Sequence, residues 1–172
     1  MFFRPGDYED ERGWQDTALV CLSGHMVNHS MKDSPQWNTK FCQKCGEGTI
    51  SQCPSCRADI LGDYHFPNVV GPGPETPLSF CHNCGMAYPW TETKIAAAKE
   101  LISLADTLSL KEKEDLGNAV SDLARQSPRT EVAALKLKKY TAKAGKAIGE
   151  GIWRIALDVA TEAAKKILLP TP

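Results

Sequence analysis

Hydrophobic patterning divides the 172-residue chain into two styles. From Thr91 onward, apolar residues recur three and four apart, the period of a helix with one buried face. Thr91 is placed as an N-cap, with Ile95, Ala98, Leu101, Ile102 and Ala105 following at helical spacing. Ser109 and Glu112 form a capping-box pattern for a second helix, whose face carries Leu116, Ala119, Val120 and Leu123. Ser127-Pro128 ends it, because proline lacks the N–H that the helix needs. Thr130 then caps a long third stretch whose late face is Ile148, Ile152, Ile155 and Val159. Gly145, Gly149 and Gly151 weaken this stretch and mark where it breaks or kinks, and Pro170 ends it.

Before residue 91 the style changes. Residues 17–90 are rich in Cys, Gly, Pro and Asn and show little helical period, while residues 1–16 are polar, with Phe2, Phe3 or Trp14 as candidate anchors. The pattern predicts an α+β chain: a polar arm over 1–16, a small loop-rich β module over 17–90, and a helical region over 91–172 that ends in a long amphipathic helix.

The cysteines explain how a segment without a recognisable core could fold. All seven fall between residues 21 and 84, six of them as the pairs Cys42/Cys45, Cys53/Cys56 and Cys81/Cys84. Cys21 precedes them with His25 four residues on. Seven thiols and one imidazole supply eight donors, enough for two tetrahedral Zn2+ ions per chain. An odd number of thiols cannot all pair as disulfides within one chain, and Met1–Glu11 is acidic rather than an apolar secretory leader. A reducing, cytoplasmic location is the expectation, where such pairs read as metal ligands. Gly46 and Gly85 follow the second cysteine of their pairs, where the chain must turn back.

Three groupings of the donors are open. The sequential one puts Cys21, His25, Cys42 and Cys45 on one ion and Cys53, Cys56, Cys81 and Cys84 on the other. It is favoured by an internal repeat in which a first ligand pair is followed by Phe-Cys-x-x-Cys-Gly, at Phe41–Gly46 and again at Phe80–Gly85. A compact site from Cys42, Cys45, Cys53 and Cys56 and a cross-braced arrangement are the alternatives. His29 is a substitute for His25, His82 sits between two ligands and reads as surface, and His65 has no nameable partner. Phe41 and Phe80 are expected to pack beside the metals.

The run Val20-Cys21 through Gly24-His25, Phe41 to Gly46, Cys53-Pro54 to Cys56, Ile60 to Tyr64, and Phe80 to Gly85 with Tyr88-Pro89-Trp90 resembles bacterial double zinc-ribbon proteins of a domain-of-unknown-function family. The resemblance covers the cysteine region and the helix after it. It implies zinc binding and brings no established activity.

Catalytic signatures are missing. There is no His-Glu-x-x-His, no His-x-Glu of the zinc deaminases and no Gly-rich phosphate loop with Lys and Ser/Thr. The expectation is a non-enzymatic adaptor or regulator, with a protein partner or self-association through residues 130–169, where the apolar stripe of Trp153, Ile155, Val159, Ile167, Leu168 and Leu169 exceeds what two short helices can cover. A nucleic-acid-binding regulator is the second reading, using Lys40, Gln43, Lys44 and Arg57 at the knuckles, the face of Lys136, Lys138, Lys139, Lys143 and Lys146, and Trp37, Phe41, Tyr64, Phe66, Tyr88 and Trp90 as stacking candidates. Charge weighs against it: residues 1–90 hold six Lys/Arg and ten Asp/Glu, a net of −4. The third reading is a peripheral membrane protein held by the C-terminal amphipathic helix. No apolar run approaches the roughly 18 residues of a membrane span.

Overall fold

The computed structural model describes residues 13–67, 69, 71 and 73–169. The anchors expected at Phe2 and Phe3 and the stop at Pro170 lie outside the described residues. The fold is α+β, and the chain forms two compact units, Met1–Tyr88 and Pro89–Pro172.

Among the described residues, the first unit holds five short strands and one 3-10 turn, Pro35–Trp37. β1 (Trp14–Thr17) pairs antiparallel with β5 (Leu61–His65). β2 (Leu19–Cys21) lies between β3 (Met26–Asn28) and β4 (Thr49–Ile50), antiparallel to both. The arm predicted to run through residue 16 is therefore shorter, since its last residues are strand. Trp14 does act as an anchor: its ring stacks on His65, with centroids 5.0 Å apart and planes 15° apart.

The β1–β5 register shifts between Gln15 and Thr17, which frees Asp16 from the ladder. Its buried carboxylate accepts N–H bonds from Thr17, Lys32 (3.0 Å) and Asp33 (3.1 Å), so one bulge pins the turn after β3. Burial pushes the Asp16 carboxyl up, but the donors from Lys32, Thr17 and Asp33, with the charge of His65, hold it below its ordinary value. The core is small: Ala18, Leu19, Val20, Cys21 and Ile60 are buried, and the Ile60 carbonyl accepts from Ala18 N–H at 2.8 Å.

The second unit is all helix: α1 (Pro89–Ser103), α2 (Leu110–Leu123), α3 (Thr130–Lys143), α4 (Lys146–Val159) and α5 (Glu162–Leu168). The helix placed from Thr91 begins at Pro89, as proline's fixed φ suits a first turn, and Thr91 is buried inside that turn. The capping box of α2 forms as Ser109 and Glu112 predict. Thr130 belongs to the first turn of α3 rather than capping it, and its hydroxyl accepts from Ser127 N–H at 3.1 Å.

The long helical stretch expected after residue 130, with a break or kink at its glycines, is three helices. Gly145, at φ 87°, breaks it as the glycine pattern predicts. Gly149 serves packing instead: a Cβ there would lie 2.2 Å from the Thr141 carbonyl oxygen, so α4 crosses α3 only because this position has no side chain. The second break, at Ala160, carries no glycine or proline. Thr161 caps α5 through Ala164 N–H, and its own N–H reaches the Leu123 carbonyl at 3.0 Å.

Helix α2 packs on α3, and α1 packs on α4. Ile102, Leu116, Val120, Leu123, Leu137, Ile152, Ala156 and Val159 are buried in the core. Of the stripe expected to be in excess, Val159 and Leu168 are buried, Trp153, Ile155 and Ile167 are half-buried and Leu169 is exposed. Three of the five lysines in the run are engaged: Lys136 pairs with Asp115 at 2.6 Å, Lys143 with Glu112 at 2.8 Å, and Lys138 donates to the Ile167 carbonyl at 2.9 Å.

Candidate metal centres

Each Cys-x-x-Cys pair builds the same turn. The N–H of the first cysteine donates to the carbonyl five residues on, at 2.8 Å in all three: Cys42 to Glu47, Cys53 to Ala58 and Cys81 to Met86. The residue after the second cysteine donates back to the first cysteine's carbonyl, at 2.8–2.9 Å. That residue must take a left-handed conformation, with φ of 77° at Gly46, 71° at Gly85 and 62° at Arg57. Isolated bridges close each turn, Phe41 to Gly48, Gln52 to Asp59 and Phe80 to Ala87. The fourth pair sits in the β2–β3 hairpin. Cys21 N–H bonds the His25 carbonyl at 3.1 Å, and His25 N–H points back at the Cys21 sulfur at 3.2 Å.

These turns bring the donors together in the sequential grouping. Cys21, His25, Cys42 and Cys45 form one cluster, and Cys53, Cys56, Cys81 and Cys84 form the other. Within each, all four ligand atoms lie within 4.8 Å of one another. In the first, His25 Nδ1 is 3.5 Å from the Cys21 sulfur and 3.6 Å from that of Cys42, and Cys21 and Cys45 are 3.7 Å apart. In the second, Cys53–Cys84 is 3.8 Å and Cys56–Cys81 is 3.6 Å. A tetrahedral ion about 2.3 Å from sulfur and about 2.0–2.1 Å from nitrogen sets its sulfurs about 3.8 Å apart, and sulfur about 3.6 Å from nitrogen. The observed separations match that figure and are far from the roughly 2.05 Å of a disulfide. The donor set therefore fits a metal ion at each cluster.

Burial follows the same order in both clusters: the first and third members are buried, the second is half-buried and the fourth is exposed. Electrostatics prepares one thiolate in each. Burial pushes the Cys42 thiol up, but N–H groups of Lys44 and Cys45 aimed at its sulfur bring it down to about 6. The N–H groups of Cys84 and Asn83 outweigh burial at Cys81 and also bring it to about 6. The Asn83 amide, 3.5 Å from the Cys56 sulfur, lowers that thiol too. Cys84 goes the other way. The Met86 N–H favours its thiolate, but burial and the sulfurs of Cys56, Cys81 and Cys53 push it up to about 12. Four sulfurs in contact resist full ionisation, and a divalent cation removes that resistance. Buried Tyr88 lies against the same cluster. Burial and then the sulfurs of Cys81, Cys53 and Cys56 raise its phenol above the ordinary value.

Other expectations fall elsewhere. His29 is outside both clusters, with Nδ1 3.2 Å from Ser30 Oγ and 3.8 Å from Asp63. His82 is exposed. Phe41 does not pack beside a cluster; it is 65% exposed, while Phe80 is half-buried. Sequence reasoning names Arg57 only as a knuckle contact and misses its left-handed backbone, and it misses the Asn83 amide. It also missed the partners of His65: Asp16 lies 3.6 Å from Nε2, Asp33 3.8 Å from Nδ1, and Ser30 Oγ 3.3 Å from Nε2. The two ring nitrogens of His65 thus face different carboxylates, and the Asp16 oxygens are already held by three backbone donors, which argues against a third metal centre at this trio.

No curated protein and no solved structure matches the chain. A family model described as an uncharacterized protein conserved in bacteria (DUF2321) matches residues 14–168, which takes in the cysteine unit and all five helices. The chain belongs to that bacterial family.

Proposed function

We propose that this is a zinc-binding, non-enzymatic adaptor or regulatory protein, in which two Zn2+ ions hold a double zinc-ribbon module and the helical unit carries a partner surface. The observation that carries the reading is the completeness of both clusters. Each presents four protein donors at tetrahedral separations, three thiols and an imidazole in one and four thiols in the other. A catalytic zinc keeps a coordination position for water or substrate, and neither donor set leaves one. Metal here would supply folding free energy to a loop-rich module with little apolar core.

Support for a partner surface within residues 130–169 comes from Val132 and Leu135, exposed on α3, and Leu169, exposed just past α5, while Ile152, Ala156 and Val159 are internal. The nucleic-acid reading draws less support, because Lys136, Lys138 and Lys143 are held by Asp115, the Ile167 carbonyl and Glu112. Among the described residues, no helix is long and apolar enough to cross a membrane.

Native mass spectrometry of protein purified without added metal tests the reading. Two zinc ions per chain, lost on denaturation, are expected; one or none would overturn it. The same spectrum reads chain stoichiometry. A dimer split by Leu135→Asp supports self-association through α3, and a monomer leaves that face for a different protein.

A further inference from the structure

Beyond the metal clusters, the cysteine module holds a cavity of about 440 Å³ that the proposed function does not use. Its floor is the segment after β3, carrying His29 and buried Ser30. One wall is β5 and its continuation, with Asp63, Tyr64, His65 and Phe66, and Trp37 on the short 3-10 turn Pro35–Trp37 faces it. Two close approaches give it this shape. A Cβ on Gly62 would lie 2.2 Å from the His29 carbonyl oxygen, and one on Gly73 would lie 2.3 Å from the His29 ring. The strand and the loop are thus both pressed against His29. Asn28 fixes the opposite side, donating to the Ser34 carbonyl at 2.9 Å and to Asn38 at 2.8 Å, which sets the turn bearing Trp37.

The lining combines two chemistries. Three large rings stay in solvent at its mouth: Trp37 is 66% exposed, Phe66 56% and Tyr64 47%. Tyr64 and Phe66 hold each other edge to face with centroids 4.8 Å apart, so their orientation is set before anything binds. The fixed charge is negative. Asp63 lines the cavity, and the titratable side chain nearest it among the described lining residues is His29, 3.8 Å away. None of the described residues lining the cavity is Lys or Arg. The nearby cation Lys32 is taken up by Asp59 at 3.0 Å. A phosphate or carboxylate would find no counter-charge on a permanent cation here. A cation finds both a carboxylate and aromatic faces, the pairing that recognises guanidinium and ammonium groups.

We propose that this cavity receives a basic side chain, arginine or lysine, of a protein partner, with Asp63 as the counter-ion and Trp37, Tyr64 and Phe66 as the aromatic wall. The site belongs to the cysteine module alone and stands whether or not the helical unit carries a partner. The cavity's buried hydroxyl, Ser30 Oγ, lies between two imidazoles, 3.2 Å from His29 Nδ1 and 3.3 Å from His65 Nε2.

The test is a ¹H–¹⁵N NMR titration of the full-length zinc-loaded protein with acetyl-Gly-Arg-Gly-amide, its Lys and Glu counterparts, and adenosine. Saturable shifts confined to residues 28–37 and 63–67 are expected with the Arg or Lys peptide and not with the Glu peptide. Asp63→Asn should weaken binding about tenfold, and Trp37→Ala about two- to fivefold. Zinc content and spectral dispersion, read on the same samples, separate loss of the pocket from loss of the metal-held fold. With the fold intact, absence of saturable shifts, equal binding of the Glu peptide, unchanged affinity in Asp63→Asn, or binding of adenosine in place of the basic peptides would each overturn the proposal.

Discussion

In the helical unit the largest fully buried side chains are Leu116, Leu123, Leu137, Ile152 and Val120; in the cysteine module they are Tyr88, Ile60, Val20, Cys21 and Cys53. The first set is aliphatic and spread over three packed helices. The second is interrupted by thiols and drawn from a unit whose strands run to two to five residues. Short strand pairs are marginal in water by themselves. The helical unit can rest on packing, whereas the module, with its eight gathered donors, would rest on bound metal. On the proposed reading the two units' stabilities answer to different variables, metal activity for one and apolar burial for the other.

The largest expected effect separates them by chelation. Structural zinc contributes apparent binding free energies of about 10–16 kcal/mol in small domains. Removing it should collapse the NMR dispersion of residues 17–88 while the helical circular dichroism persists. Loss of both signals together would show that the units do not differ as described. Conversely, Leu137→Ala should cost the helical unit about 2–5 kcal/mol in urea unfolding, because the site is fully buried. Zinc stoichiometry should stay at two.

A smaller effect sharpens the account of the turns. Arg57 adopts a φ of 62° where Gly46 and Gly85 stand in the equivalent turns. Arg57→Gly should relieve about 1 kcal/mol of backbone strain and slow zinc loss to a competing chelator. Faster loss would mean that the arginine side chain contributes more than its backbone costs.

The smallest effect is electrostatic. A hydrogen bond from Lys143 and the Ser109 N–H lower Glu112 to about 2. A carboxyl depressed on folding stabilises above its ordinary pKa, and the contribution fades as pH falls from that range through about 2. Lys143→Met should flatten this part of the acid unfolding curve of the helical unit. An unchanged curve would show the pair to be solvent-screened.

How far the chain could be read beforehand follows the same division. The ligand turns were legible because Cys-x-x-Cys geometry is local, and the repeat of Phe-Cys-x-x-Cys-Gly indicated the grouping of the donors. The capping box at Ser109 and the break at Gly145 were legible for the same reason. The break at Ala160 was not, because it follows from the Thr161 N–H reaching Leu123, a contact distant in sequence. Nor was the engagement of the lysine run, since Asp115 and Glu112 belong to a different helix. His65 looked solitary because Trp14, Asp16 and Asp33 reach it only through the β1–β5 pairing and the turn after β3. Phe41 was misjudged because its turn directs the ring to solvent, although the same position at Phe80 is half-buried.

The central claim is that two closed, chemically different metal centres hold the first unit. Cadmium-113 NMR of the cadmium-substituted full-length protein addresses it most directly. Two resonances of equal intensity are expected, one in the range of four thiolate ligands and one shifted toward mixed thiolate and imidazole ligation, the latter lost selectively in His25→Ala. A single resonance, or one indicating an oxygen ligand from water, would contradict the account.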